Sequence, residues 1–426
     1  MKIGIIGAGF TGLSAAYFLA SQGHSVTVFE KDTKPGGLAI GVEKKEWAWT
    51  LEKHYHHWFT NDKAVLDLAK EINHPVIIRR PHTNWYIQNK IYEFDSIKAA
   101  LAIPLLPILD RIRNLATLGI LRFNPFWKPL EKLNAHIMLP KFMGKKAYTL
   151  LWEPLFKNKF GEYATDISLA WFWARIVKRT PSLAYPQGGY LTFANALVDA
   201  IEKKGGKVYL DAEIVALSDE EKVTLTVKEK NQTKTNTFDK VIVTLPSFYF
   251  LSIAPQLPDL YKKSLLALKG LGAINLILRL KKPFFSNGTY WLSIADSKSP
   301  IMAIVEHTNF MDKKYYNNEH LVYLGNYLPK NHPYFSLTKE QLLKTYDHFL
   351  QKIHPRYEKD LIGIEMFAVP FAQPIIPVNY SKMVPPFETP LKHVFLANIQ
   401  QVYPWDRGTN YAVELGEKVA RLISNF

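Results

Sequence analysis

The opening stretch constrains this chain more than any other: an apolar run over residues 1–6 passes without a gap into Gly7-Ala8-Gly9-Phe10-Thr11-Gly12. Continuous apolar character suits a parallel strand covered on both faces, and glycines at this spacing suit the turn into a helix. Gly7 permits the tight turn, Gly9 lets the backbone approach a pyrophosphate, and Gly12 lets the following helix pack closely on the strand. Phosphates would then lie at the positive end of that helix. The pattern predicts a helix over 13–22 stopped by Gly23, then a strand over 24–29. Glu30 closes that strand. A carboxylate there accepts hydrogen bonds from an unmodified ribose 2′-OH and repels a 2′-phosphate, so FAD or NAD is favoured over NADP. Lys31 opens the next loop, in which Gly36-Gly37 again marks close backbone approach to a ligand.

At 426 residues the chain exceeds the range over which a single core keeps growing, so two domains are expected. The absence of cysteine excludes disulfide scaffolds, thiolate metal sites and a flavin tethered through sulfur. A net charge of +15 would fit nucleic acid, an anionic membrane surface, an acidic substrate or simply lysines spread over the surface. No nucleic-acid module is visible, and nucleic acid is not expected as a partner. No stretch approaches the roughly 18–20 apolar residues of a spanning helix. The first apolar run leads straight into the glycine turn and does not read as a signal peptide. The expectation is a cytoplasmic protein, with peripheral contact to the inner face of a membrane as the open alternative. That alternative comes from residues 97–157, which read as helical, apolar and basic, with Arg111, Arg113, Lys141, Lys145 and Lys146 among leucines and aromatics.

His54, His56 and His57 crowd one short segment, but neighbouring side chains diverge and no carboxylate or cysteine completes a usual ligand set, so no metal is expected. His57 is instead a candidate for touching a bound ligand, as is Arg407; Asp406-Arg407 reads equally as a salt-bridged loop pair. Trp171, Phe172 and Trp173 lie on an expected helix over 169–176 and suit either a pocket wall or plain core. No catalytic base can be singled out.

Further along, alternation over 77–94 predicts a strand pair turning at 88–90, and 223–238 a hairpin around Asn231. Residues 185–246 read as a small αβ unit: the turn Tyr185-Pro186-Gln187-Gly188-Gly189, a helix over 191–203 stopped by Gly205-Gly206, strands over 207–210 and 213–217, and a buried strand over 241–245 that includes Thr244. Residues 251–387 alternate strands with one helix over 339–352. The chain ends in a strand over 393–397, a loop over 398–409 and a helix over 410–423, whose start (Asn410, Tyr411, Ala412) can aim its dipole at a ligand. Gly270-Leu271-Gly272 precedes a strand instead of following one, so a second dinucleotide domain is disfavoured. The fold class is therefore α/β. A discontinuous Rossmann-like dinucleotide-binding domain over 1–60, 186–250 and 388–426, an FAD-binding domain on the resemblance given next, carries an inserted α+β substrate domain and helical cap over 61–185 and 251–387.

These motifs together resemble the FAD-dependent amine oxidase superfamily, in its protoporphyrinogen oxidase and phytoene desaturase branch. The resemblance rests on Gly7-x-Gly9-x-x-Gly12 with Glu30 and Gly36-Gly37, on Pro186-x-Gly188-Gly189 with Gly205-Gly206, on the strand around Ile214, on Asp239-Lys-Val-Ile-Val-Thr-Leu-Pro246 and on the terminal strand, loop and helix. It implies FAD, with Glu30 on the adenosine ribose, the glycine turn on the pyrophosphate, Ile214 by the adenine and the loop before Tyr411-Ala412 near the flavin. Leu38 stands where relatives usually carry arginine, and Ala397-Asn398-Ile399 where they usually carry Ala-Gly-Asp or Ala-Gly-Glu. Asn398 is then expected near the ribityl chain or pyrophosphate. The implied activity is removal of a hydride from a substrate C–H to flavin N5. The substrate is a small molecule, hydrophobic or planar (a porphyrinogen, polyene or amine), and oxygen or a quinone accepts the electrons. Two alternatives stay open: a flavoenzyme like UDP-galactopyranose mutase acting on a sugar nucleotide, and a flavin-binding membrane partner without turnover.

Overall fold

A computed structural model describes residues 1–94, 96–229 and 232–425 of the chain. The first strand, Lys2–Ile6, is the middle of a five-stranded sheet ordered Lys207–Tyr209, Ser25–Phe29, Lys2–Ile6, Lys240–Val243, Val394–Leu396. Every neighbouring pair in it is parallel. Ile3, Ile5, Val26, Val28, Val241 and Ile242 are buried, as a strand covered on both faces requires. Ile6 lies level with Phe29 on one side and Val243 on the other, so Gly7, Glu30 and Thr244 all emerge at one edge of the sheet. Ligands of open parallel sheets bind beyond that carboxyl edge.

The first helix runs Phe10–Ser21 and not over 13–22. Gly9 is already its extended N-cap, so the tight turn is complete by Gly9 and Gly12 falls inside the first helical turn. A Cβ on Gly12 would lie 1.9 Å from the Gly7 carbonyl oxygen, which is why the third glycine is required there. This helix packs on the terminal helix Thr409–Ser424, where a Cβ on Gly416 would lie 2.1 Å from Ser14 Oγ.

A second, seven-stranded sheet is ordered Leu361–Pro374, Gly270–Leu280, His320–Leu328, Ala303–Glu306, Thr289–Ile294, His82–Ile87, Lys90–Glu93. The helix Lys339–Ile353 starts at a Thr338–Gln341 capping box and buries Leu342, Tyr346, Phe349 and Leu350 in the same core as Ile274, Leu276 and Leu278 of that sheet. The strand pair expected over 77–94 is split. Only His82–Ile87 and Lys90–Glu93 form the hairpin, turning through Gln88 and Asn89 at positive φ. Val76–Arg79 pairs instead with Leu183–Pro186 in a separate three-stranded sheet. Pro81, lying between the two strands, has no N–H with which to continue a ladder. The hairpin Val223–Glu229 with Gln232–Phe238 is present, and its expected tip at Asn231 lies outside the described residues. The stretch over 97–157 is helical, including Ile108–Phe123, Ala135–Met143 and Glu153–Phe160, and Leu169–Lys178 follows with Ser168 as its side-chain cap.

Candidate active site

The glycine turn and the double glycine are zipped together. Gly36 N–H donates to Ala8 O at 2.9 Å, and a Cβ on Gly37 would stand 3.0 Å from Gly9 Cα. Glu30 accepts from Ala8 N–H at 2.7 Å and from Asp32 N–H at 3.0 Å, so its carboxylate is positioned by the turn it serves. Burial pushes the Glu30 carboxyl up, and those N–H donors work against the shift. The helix that begins at Phe10 has neither a side-chain cap nor an acid in its first turn, which leaves its positive end open to an external anion. Thr244 sits beside the turn, its hydroxyl donating to Ile6 O at 2.8 Å. Lys31 is exposed, with its ammonium 5.0 Å from the Tyr249 ring. Ile214 is buried on Ala212–Asp219.

These residues fit a flavin dinucleotide. Gly7, Ala8, Gly9, Phe10, Thr11 and Gly12 supply backbone without crowding side chains, and Glu30 offers an acceptor at the strand end. A small cavity beyond Leu38 is lined in part by His54 and Asn275, and His54 Nε2 and Asn275 Oδ1 are buried there without a partner. Asn398 is buried just after the strand Val394–Leu396. Its amide donates to Leu245 O at 3.0 Å and accepts from Gln400 N–H at 3.0 Å, so the side chain is occupied in fixing the loop. Asn410 likewise accepts from Val65 N–H at 3.2 Å, while Tyr411 faces the larger cavity described next. Ala412 is half-buried in the first turn of the terminal helix.

That larger cavity has a volume of about 460 Å³. It shares Tyr55, His56, Tyr327 and Arg407 with the small one, so the two abut. Much of its wall is aromatic, from Trp85, Trp152, Phe156, Trp171, Phe172 and Trp291. Trp171 and Phe172 are therefore both core and wall, whereas Trp173 turns away to stack on Trp405 with centroids 5.3 Å apart.

The cluster over 54–57 splays. His54 Nδ1 meets Asn275 Nδ2, His56 Nδ1 meets His54 O at 2.6 Å, and His57 Nδ1 meets the Tyr290 hydroxyl at 3.0 Å. Burial takes His54 and His57 down to about 3 and His56 to about 4, so all three are neutral imidazoles at neutral pH. Among the described residues no group of three or more His, Cys, Asp or Glu is placed to hold a metal ion.

The expected Asp406–Arg407 salt bridge is not formed. Asp406 accepts from Arg175 at 2.9 Å, Lys159 at 3.3 Å and Trp171 Nε1 at 3.1 Å. Arg407 donates to Gln373 Oε1 at 3.0 Å and to the Tyr327 hydroxyl, with its guanidinium 4.9 Å from the Tyr327 ring. Adjacent side chains diverge, and each finds a partner brought in by a distant segment. The residues missed in the sequence are Arg175 and Arg179, which line this cavity together with His57, Lys159 and Arg407. The available signal was Arg175 and Lys178 at the basic end of an otherwise aromatic helix, with Arg179 as its C-cap.

Comparison with known proteins agrees with this geometry. A 4,4'-diapophytoene desaturase (4,4'-diaponeurosporene-forming) of Staphylococcus aureus (strain bovine RF122 / ET3-1) is 68% identical over 51 residues. That match covers 12% of this chain and only 10% of the relative's length. An oxidoreductase from Methanosarcina mazei superposes with a TM-score of 0.75 at 19% identity, covering 99% of this chain and 100% of that one. Reduced UDP-galactopyranose mutase superposes with a TM-score of 0.75 at 15% identity, covering 100% and 95%. The family model for flavin containing amine oxidoreductase matches residues 10–423. The family match runs over nearly the whole length, beside a glycine-rich turn at the carboxyl edge of a parallel sheet and an adjoining aromatic cavity: this chain belongs to the flavin-containing amine oxidoreductase family.

Proposed function

We propose that the chain binds FAD and dehydrogenates a small molecule held in the 460 Å³ cavity, leaving a new double bond in the product. The observation that carries this is the contact between the two cavities, through Tyr55, His56, Tyr327 and Arg407. When bound, the flavin supplies the two-electron acceptor at N5 and passes the electrons on to oxygen or a quinone. The chain's own residues shape, dry and orient the site. The aromatic walls exclude water from a hydrophobic or planar substrate. The neutral His57, held on Tyr290, offers a hydrogen-bonding surface without charge. The terminal helix opens at Thr409 with no side-chain cap and no acid in its first turn, so its N–H groups favour negative charge nearby. No single side chain is assigned as the base.

The same proposal places the protein in the cytoplasm, in peripheral contact with the inner face of a membrane. The helix Ile108–Phe123 exposes Ile108, Ile112, Ile120 and Phe123 along one side, Phe123 to 86%. Arg113 ties this helix to Lys141 O and Phe142 O, next to the exposed Lys145 and Lys146. No helix among the described residues is long and apolar enough to cross a membrane. An apolar side with basic neighbours suits a helix lying in the plane of an anionic surface.

The test is spectroscopic. Purified protein should be yellow and should release FAD, not FMN, on denaturation, and a substrate should bleach it anaerobically. Colourless protein without bound flavin would sink the proposal. Turnover of a sugar nucleotide only after prior reduction would redirect it to isomerisation without net oxidation, and bound FAD that no substrate reduces would redirect it to a binding role.

A further inference from the structure

We infer that the cavity selects a substrate whose apolar body carries an anionic group, a carboxylate or a phosphate, and that it turns amines away. This deepens the proposed oxidoreductase function and rests on it for the position of the flavin. The side chains Arg80, Lys159, Arg175, Lys178, Arg179 and Arg407 line the cavity, against only two carboxylates, Asp62 and Asp406. Asp406 is already committed to Arg175, Lys159 and Trp171. Asp62 accepts from Phe59 N–H at 2.8 Å.

Asp62 keeps Oδ1 without a hydrogen-bond partner and acts electrostatically on Lys178, whereas the Arg179 and Arg407 guanidinium groups have no carboxylate partner among the described residues. Among the described residues the Arg407 guanidinium bonds only to the neutral Gln373 and Tyr327, while its backbone N–H donates to Asp406 at 3.1 Å. Lys178 rests on the rings of Trp405 and Tyr411, at 4.4 and 5.9 Å. The Arg179 guanidinium has no hydrogen-bond or salt-bridge partner among the described residues. Its carbonyl alone is engaged, by Arg122 at 2.8 Å. Arg179 is exposed where it lines the cavity, and its guanidinium is charged at neutral pH.

Like charges gathered along one cavity, from the exposed Arg80 and Arg179 to the half-buried Arg407, repel one another unless an anion completes them. The aromatic wall and this cationic lining face the same space, so one molecule with an apolar body and an anionic end satisfies both. A protonated amine would add to the excess charge of the same sign. Guanidinium groups bind carboxylate and phosphate alike through paired N–H donors, so the two anions are separated by experiment.

The test is equilibrium dialysis of the flavin-loaded full chain against four probes with one ring body: naphthalene-1-acetate, 1-naphthyl phosphate, naphthalene-1-acetamide and 1-naphthylmethylamine. At least one anion should bind about tenfold more tightly than the amide, the increment of a charge-assisted hydrogen bond, and the amine should bind more weakly than the amide. The tighter anion identifies the group. Arg179→Gln removes no contact with the protein and should cut the anion-to-amide ratio at least about threefold. Arg179→Lys should retain most of the ratio, and Arg179→Gln with Arg407→Gln should abolish it. Amide or amine binding as tight as both anions, or a ratio unchanged in Arg179→Gln, would overturn the inference. Visible absorbance of the same samples reports flavin content. Flavin-free protein defeats the oxidoreductase proposal, whereas flavin-loaded protein without anion preference defeats only this inference.

Discussion

Tyr185, on the strand Leu183–Pro186, donates its hydroxyl to the Glu52 carboxylate, whose two oxygens lie at 2.8 and 2.9 Å, and both residues are wholly buried. Tyr190 N–H, at the start of the helix Tyr190–Lys203, donates to the same carboxylate at 2.9 Å, and Tyr323 from the seven-stranded sheet donates to Glu52 O at 2.6 Å. Burial pushes this carboxyl from its ordinary 4.5 up to about 7. Because the folded value is raised, the associated stability is fully present below the unfolded value and is lost as pH rises through about 7. Glu52→Gln removes the titration. Denaturant unfolding should show wild type losing on the order of 2–3 kcal/mol relative to this variant between about pH 5 and pH 8. Parallel stability curves would refute the assignment.

Asp406 behaves in the opposite sense. Burial raises its carboxyl, but Lys159 and Arg175 outweigh that effect and hold it down at about 2. Its contribution is present above the unfolded value near 3.8 and is lost as pH falls through about 2. Asp406→Asn should cost about 1–3 kcal/mol at neutral pH, the partly exposed Arg175 holding the figure down. The gap from wild type should narrow in acid. Unfolding midpoints measured at several pH values check this, and a gap independent of pH would count against the pairing.

Two glycine substitutions separate cofactor geometry from backbone strain. Gly12→Ala drives a methyl to 1.9 Å from Gly7 O and should destabilise by about 3 kcal/mol while yielding flavin-poor protein. Gly23→Ala, at φ +82° with nothing within 4 Å of the new Cβ, should cost only about 1 kcal/mol and keep the flavin. The ratio of visible to ultraviolet absorbance of the purified variants reads the outcome, and equal flavin content would contradict the role given to Gly12.

The exposed side of Ile108–Phe123 makes a separate claim. Ile120→Ser, Phe123→Ser and Phe126→Ser together remove side chains exposed to 70, 86 and 71%. Stability should change by no more than about 0.5 kcal/mol per site. Sedimentation with anionic vesicles should be lost in the triple variant and weakened by salt in wild type. Wild-type protein that does not sediment with such vesicles would refute peripheral contact.

The cradle was legible because its determinants are local. Gly7 to Glu30 is one strand-turn-helix-strand unit, and the period of its apolar residues shows in a short window. Even there, the helix began earlier than expected, since a glycine can serve as cap or as first-turn residue and the sequence does not distinguish them. Asn398 illustrates the opposite limit. The resemblance placed it near the ribityl chain or pyrophosphate, and only the structure showed that its amide also bonds Leu245 O and Gln400 N–H. Nothing near Asp406 in the sequence indicated that its partners would be Arg175 and Lys159, 231 and 247 residues away.

By itself, then, the sequence determined a parallel αβ unit with a glycine turn and an acid at the strand end, because strand burial and glycine conformation act over a few residues. Only the tertiary structure decided what faces that cradle. The cavity draws its aromatic and cationic walls from segments far apart in the chain, and which of those charges meet a partner depends on long-range packing that no local pattern encodes.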